Sequence, residues 1–555
     1  MPLSNPWRAL PTIQLLRSLV SRRTPPSCRA RDKPQDAVRA GLQRATLTVR
    51  LLGNRGPDST CDVTEEGKSS MDHNEVPVLD ALAEYHRRGH TPFTPPGHKH
   101  GRGADPRVRA VLGEDVFRND LLATSGLDDR SASGEVIQRA QRLMADAVGA
   151  EHAFFSTCGS SLSVKSATLA VAGRHGRILV GRDAHKSVIS GLVLSGLRPT
   201  WVHPRYDTNR HLAHPPSPAD VEGALDRDSD VAGVLITSPT PYGTCADITE
   251  IARLCHSRGL PLLVDEAWGA HLPFHDRLPT WAMNADADLC VASIHKMGAG
   301  LEQGSVFHLQ GDRIDPAHLS ACADMLATTS PNVLIYAAMD GWRRQMVQHG
   351  RQLLSDTLDL AENVRERITK LSGLHVLHDE LLGAEASHEL DLLKIIIDVS
   401  ELGISGYQAA DWLRANRSID VGLSDHRRIE AQLSIADTVD TADVLVDGLD
   451  HLTQVAHVLP TPPEVVLPTV GDLELDTVML PRDAFFARTE DVPGKQAAGR
   501  VCAEQVTPYP PGIPVLLPGE RIGQQALDYL LSGVHAGMVI PDAASPQLET
   551  IRVVA

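Results

Sequence analysis

The chain has 555 residues, 42% of them hydrophobic, and a formal charge of −17 from 53 basic and 70 acidic side chains. That length exceeds one ordinary domain and points to two or three units; the acidic balance argues against nucleic acid as a partner, and no apolar run nears the roughly 18 residues of a membrane span. The 8 cysteines are scattered without a C-x-x-C pair, which supports neither a zinc site nor a disulfide framework and fits a reducing cytoplasm.

Residues 1–55 hold ten Arg and one Lys against Asp32 and Asp36, a patch foreign to the acidic remainder. An organelle-targeting peptide is one reading; a flexible extension, or a start assigned too early with Met71 as the true beginning, is the preferred one for residues 1–70. From Met71 the pattern changes, and Val78–Leu82 opens an amphipathic helix ending near Gly89. Between about 150 and 310, short β-rich runs alternate with helical text, the signature of crossover units and a mainly parallel sheet. The strands expected are 153–156, 178–181, 200–203, 233–237, 262–265, 289–292 and 305–308, with helices over 161–172, 187–194, 219–225 and 248–256. Beyond about 335 a long helical stretch leads into mixed elements, where 395–399 and 433–436 read as strands of a smaller domain and Pro508–Pro518 as a Pro/Gly-rich segment.

Polar residues gather just after the strands, at the edge where such sheets bind ligands. Ser156-Thr157-Cys158-Gly159-Ser160-Ser161 joins a strand to a helix, so its hydroxyls and free N–H groups suit a phosphate, although serines there also serve as ordinary N-caps. His185 follows the next strand, placed either to stack on an aromatic ring or to be a buried, hydrogen-bonded histidine. The strand 262–265 delivers Asp265, which could keep a ring nitrogen protonated or cap a helix. Glu266 and His271 follow it, but no second cluster completes a metal site. Ser293-Ile294-His295-Lys296 ends a strand, and Gly298-Ala299-Gly300 would let a ligand come close. A lysine amine kept partly out of water has a lowered pKa and can form an imine with an aldehyde cofactor, whereas a lone loop lysine is more often solvated. Gly298–Gly304 misses the dinucleotide fingerprint by one position, and no P-loop occurs.

Phosphate turn, stacking histidine, strand-end aspartate and Ser-x-His-Lys, in that order, resemble the ornithine/lysine/arginine decarboxylase family of pyridoxal 5'-phosphate (PLP) enzymes with the aspartate-aminotransferase fold. The resemblance runs from about 75 to 550. It takes in Pro95-Pro96-Gly97-His98-Lys99-His100-Gly101-Arg102-Gly103, Gly126-Leu127-Asp128-Asp129, and Gly499-Arg500-Val501-Cys502-Ala503-Glu504 running into Pro508-Tyr509-Pro510-Pro511-Gly512-Ile513-Pro514. It implies a fold-type-I α/β domain over 71–390 with a mainly parallel sheet, and a smaller α+β domain over 391–555.

By the same resemblance Lys296 is the Schiff-base lysine, Asp265 the partner of the ring nitrogen and His185 the stacking residue. Ser160, Ser161, Ser293 and His295 hold the phosphate, with Trp268 nearby. Thr328-Thr329-Ser330-Pro331 resembles a stretch that reaches the cofactor of an adjoining subunit, so Thr329 joins the cofactor set and a homodimer or larger homo-oligomer is implied. A substrate's distal cation needs a buried acid, for which Glu504 is the candidate. Glu302 departs from the family pattern after the lysine and puts an extra carboxylate near the cofactor region. The amino-terminal wing of the large members is missing, so the short type fits. The activity implied is decarboxylation of arginine, lysine or ornithine. An aminotransferase or another PLP lyase is the same-fold alternative, and a catalytically silent regulatory member is the alternative of another class.

Overall fold

In the computed structural model, residues 71–123, 127, 135–173, 176–469, 471–509 and 512–555 are described. The extension expected over 1–70 lies outside them, as does the 126–129 motif apart from Leu127. Helix α1 (Pro77–Arg88) begins with Pro77 in its first turn and ends on Gly89, whose left-handed φ of 65° closes the cap as an L side chain rarely can.

Seven aliphatic runs then build one sheet: β1 (His152–Ser156), β2 (Arg177–Gly181), β3 (Arg198–Val202), β4 (Val234–Thr237), β5 (Leu262–Asp265), β6 (Leu289–Ser293) and β7 (Ser305–Leu309). β4 to β7 are buried at every residue, because helices cover both faces; among these are α2 (Gly159–Val171), α3 (Lys186–Ser195) and α4 (Ile248–Ser257). The strand order is β1-β7-β6-β5-β4-β2-β3. β7 runs antiparallel to β1 and β6, and the other pairs are parallel. Thr237 pairs with Asp265 and Asp265 with Val291, so β4, β5 and β6 finish almost in step and present their following residues along one edge.

A second sheet is antiparallel, in the order β8 (His375–Leu377), β9 (Lys394–Asp398), β11 (Arg428–Gln432), β10 (Leu423–Ser424). The strand expected over 433–436 is instead β11, five residues earlier. Its charged residues Arg428 and Glu430 are buried and paired inside, so hydrophobicity points past them to the apolar residues downstream. Across the expected boundary at 390, Glu389 and Leu390 pair with Cys245 and Thr244 of the first sheet's connections. The last strands, β12 (Thr489–Pro493) and β13 (Thr550–Val554), form an antiparallel pair that returns the chain end to residue 489.

The 36-residue helix α5 (Val333–Ile368) runs on from the first sheet, and a buried ion pair on it anchors the start of the described chain. Asp340 and Arg343 meet at 3.0 Å, both fully buried. Asp340 also accepts the Val78 N–H at 2.9 Å, and Arg343 donates to the carbonyls of His73 and Glu75. Removing one partner strands the other charge in a dry environment. Asp340→Ala is therefore expected to destabilise the protein by about 3 kcal/mol or more, measured by urea denaturation.

Candidate active site

The in-step strand ends bring the candidate residues together. Asp265 closes β5 and is 4% exposed; its Oδ1 has no hydrogen-bond partner. Burial pushes its pKa up, opposed by the nearby Lys296 ammonium and the Ala267 N–H. Lys296 lies one strand over, on the helical turn Ile294–Met297 that follows β6. Its Nζ stands 4.2 Å from the centroid of the Trp268 ring. Desolvation lowers the amine to about 8, with Asp265 opposing and a second ammonium, Lys394, adding to the shift.

His185 caps α3, its Nδ1 accepting the Ser187 N–H at 3.2 Å and lying 2.9 Å from the Ser187 hydroxyl. Burial, then the charges of Lys296 and Lys186, hold it down at about 3, so the ring is neutral. A Cβ on Gly512 would come within 2.9 Å of this ring, so glycine lets the carboxyl-terminal segment lie against it. Ser293 is fully buried with an unpartnered hydroxyl, and His295 is 3.1 Å from the Gly304 carbonyl through Nδ1. Ser160 and Ser161 open α2, whose Gly159 N–H donates to the Gln303 carbonyl at 2.9 Å. This bond ties the serine turn to the loop beyond Lys296.

Other expected residues stand apart from this cluster. Both carboxylate oxygens of Glu504 accept backbone N–H groups, from Ala544 and Arg552 at 2.6 Å each. It lines a cavity of about 530 Å³ with Ser161, Lys165 and Lys186, not with Lys296. The structure thus engages the proposed substrate acid in holding its own domain together. Thr329 is exposed and shares a cavity of about 550 Å³ with Ser156, Thr157 and Cys158 of the same chain. Glu302 is exposed in a turn. Gly298 and Gly300 make room for the protein itself, since a Cβ on either would strike Ile294 or Trp342. Glu266 is a buried acceptor for the Ala282 N–H and the Cys290 thiol, and His271 pairs with Asp391 at 3.2 Å.

Two features escaped the sequence reading. Lys394 and Glu430 form a buried ion pair beside Trp268. Asp183, after β2, is 5% exposed with an unpartnered Oδ1, and burial pushes it up to about 7, Arg182 opposing and Asp265 adding. Lys394 opens a strand buried at every position, so no alternation marks it, and nothing in the sequence marks Asp183 as buried.

A seven-stranded sheet of this order, with a desolvated lysine and an acid at adjacent strand ends, defines an α/β enzyme of the fold-type-I class. Comparison with known proteins sharpens this. Residues 76–441 match the family described as Orn/Lys/Arg decarboxylase, major domain, and 472–541 its C-terminal domain. Arginine decarboxylase of Bacillus subtilis (strain 168) is 37% identical over 87% of this chain and 99% of its own length. That of Bacillus anthracis is 37% identical over 86% and 97%. Among solved structures, lysine decarboxylase A from Pseudomonas aeruginosa aligns with a TM-score of 0.73 at 21% identity, covering 86% of this chain and 80% of that one. The chain belongs to the Orn/Lys/Arg decarboxylase family and is a decarboxylase.

The Asp183 environment yields a test. A carboxyl whose folded pKa is raised from 3.8 to about 7 favours folding fully below its unfolded pKa and loses that contribution as pH rises through the folded value. Asp183→Asn is therefore expected to gain stability relative to the parent between about pH 4 and pH 8, by roughly a few kcal/mol in urea melts of the apoprotein. A pH-independent difference would remove the buried-acid assignment.

Proposed function

We propose that the protein converts L-arginine to agmatine and carbon dioxide, using pyridoxal 5'-phosphate carried on Lys296. The observation behind this is the partly desolvated Lys296 amine facing a buried Asp265 with an unused oxygen. The residues present fit the cofactor. Asp265 Oδ1 lacks a partner that a protonated ring nitrogen would supply, and the Ser293 hydroxyl lacks one that a phosphate oxygen would supply. The first N–H groups of α2, with Ser160 and Ser161, suit the same phosphate. His185 offers a neutral ring.

When bound, pyridoxal phosphate supplies the electron sink for the pair left behind by the departing carboxylate. Asp265 would hold the proton on the ring nitrogen. Lys296 Nζ, lowered to about 8, exchanges its proton readily near neutral pH and would return one to the substrate α-carbon. His185 keeps the cofactor face dry without adding charge.

Arginine is favoured over lysine because the relatives at 37% identity are named arginine decarboxylases, while the lysine decarboxylase LdcA of Pseudomonas aeruginosa is 24% identical. A cytoplasmic homodimer is part of the proposal; the exposed Thr328 and Thr329 beside the Ser156–Cys158 turn support a second subunit there.

Product analysis with PLP and each basic amino acid is expected to give agmatine from arginine, with kcat/KM at least tenfold above lysine or ornithine, about 1.4 kcal/mol of discrimination. Borohydride reduction and digestion should leave the pyridoxyl tag on Lys296, and Lys296→Ala should abolish turnover. An α-keto acid in place of carbon dioxide and amine would point to an aminotransferase.

A further inference from the structure

A second lysine reaches the same indole as Lys296. Lys394 opens β9, is 1% exposed, and its Nζ stands 3.8 Å from the Trp268 centroid, against 4.2 Å for Lys296. Its ammonium is 3.2 Å from Glu430 Oε1, both side chains fully buried, and donates to Gln432 Oε1 at 3.1 Å. Gln432 then donates through Nε2 to the backbone carbonyl of Lys296 at 2.7 Å. The register explains the arrangement, because Lys394 lies directly opposite Gln432, and Glu430, paired with Ile396, falls two residues away on the same face.

The surroundings are cleared for these side chains. A Cβ on Gly243 would sit 2.8 Å from Lys394 Cγ, and one on Gly422 would be 2.2 Å from Glu430 Oε2. A buried ion pair of this kind adds little net stability over an apolar pair of the same volume. Its position beside the reactive lysine suggests a different use.

We propose that Lys394 is a positioning residue of the decarboxylation site, sharing the Trp268 ring with Lys296 and fixing the lysine turn through Gln432. The positive end of Lys394 beside Lys296 disfavours charging the Lys296 amine, which keeps that amine free to bond to an aldehyde. The charged and titratable groups around the pair are few. Lys296 faces Asp265 from β5, the neutral His185 from the start of α3, and Lys394 from β9, with His295 next along the chain. Lys394 faces Glu430 on β11 and Asp391 just before β9; Asp391 is itself paired with His271.

This inference rests on the reading of Lys296 as the cofactor-bearing amine, yet its test needs no cofactor. Competitive labelling with acetic anhydride across a pH series, read by mass spectrometry of the full-length apoprotein, reports the ionisation midpoint of Lys296. The parent is expected to titrate near 8. In Lys394→Met the midpoint should rise by about one pH unit, a tenfold change in the ionisation equilibrium. The sign holds whether the stranded Glu430 stays ionised or takes a proton. Lys394→Arg should stay within a few tenths of the parent. If Lys394→Met does not fold, Lys394→Gln carries the same expectation while keeping a hydrogen bond to Glu430. An unmoved midpoint in the neutral variants, or an arginine variant shifted as far as they are, overturns the proposal. A missing pyridoxyl tag on Lys296 with the labelling shift intact would instead retire the cofactor reading alone.

Discussion

The structure is organised around a charge problem: an amine and a carboxylate, each partly or wholly deprived of water, set at the ends of neighbouring strands. In water either group would be fully ionised and inert at neutral pH, with the lysine protonated and the aspartate solvated. Here desolvation works against both ions while their mutual attraction works for them, and the balance leaves Lys296 near 8 and Asp265 raised yet still drawn down by the ammonium. The parallel register enforces this opposition, because Asp265 pairs with Val291, two residues before the strand carrying the lysine turn ends. Of the flanking groups Lys394 adds a positive charge, whereas His185 is neutral and the Ser293 hydroxyl is uncharged; burial pushes Asp183 up to about 7.

Below this cluster lies a layer of polar side chains that a purely hydrophobic core would not contain. Lys394, Glu430, Asp391 and His271 are each at most 1% exposed, and they join the connection after β5 to the second sheet. Placing four ionisable groups there costs desolvation energy that their pairing only partly offsets. The β5 motif, Asp265 through His271, thereby touches both the Lys296 amine and, through Trp268 and Lys394, the second sheet. A shift of one sheet relative to the other would break the Gln432 bond to the Lys296 carbonyl, so the lysine turn is fixed by both sheets at once.

The first sheet was legible in the sequence because its central strands are mostly apolar and buried at every residue, which leaves no alternation to misread there. The expected strand bounds agree with the observed ones to within two residues at every strand. The second sheet was half legible. Ile395–Val399 stands out, whereas Arg-Ile-Glu-Ala-Gln over 428–432 reads as surface text, since no single sequence reveals that Glu430 is matched by Lys394 from another strand. The same limit hid the charge layer. The glycines after Lys296 show the converse error, for smallness there answers the bulk of Trp342 and the Ile294 backbone. Glu504 was offered as the acid for a substrate's distal cation, but the backbone amides that occupy it come from residues 40 and 48 positions downstream.

Those long-range amides clarify what the carboxyl-terminal region contributes. Arg182, next to the buried Asp183, donates to both oxygens of Glu520 at 3.2 and 3.1 Å and to the carbonyls of Pro514 and Val515. Lys186 N–H donates to the Gly512 carbonyl, which brings Gly512 against the His185 ring. The loop after β2 is thus gripped on both sides of His185 by a segment more than 300 residues away. Fixing a long loop closure costs only slightly more entropy than a short one, so this distance is a small thermodynamic burden. The gain is a histidine held at one angle by covalently unrelated contacts, which a loop packed only against its own strand could not provide. The Pro/Gly-rich segment 508–518 therefore holds the loop after β2 through Gly512, Pro514 and Val515.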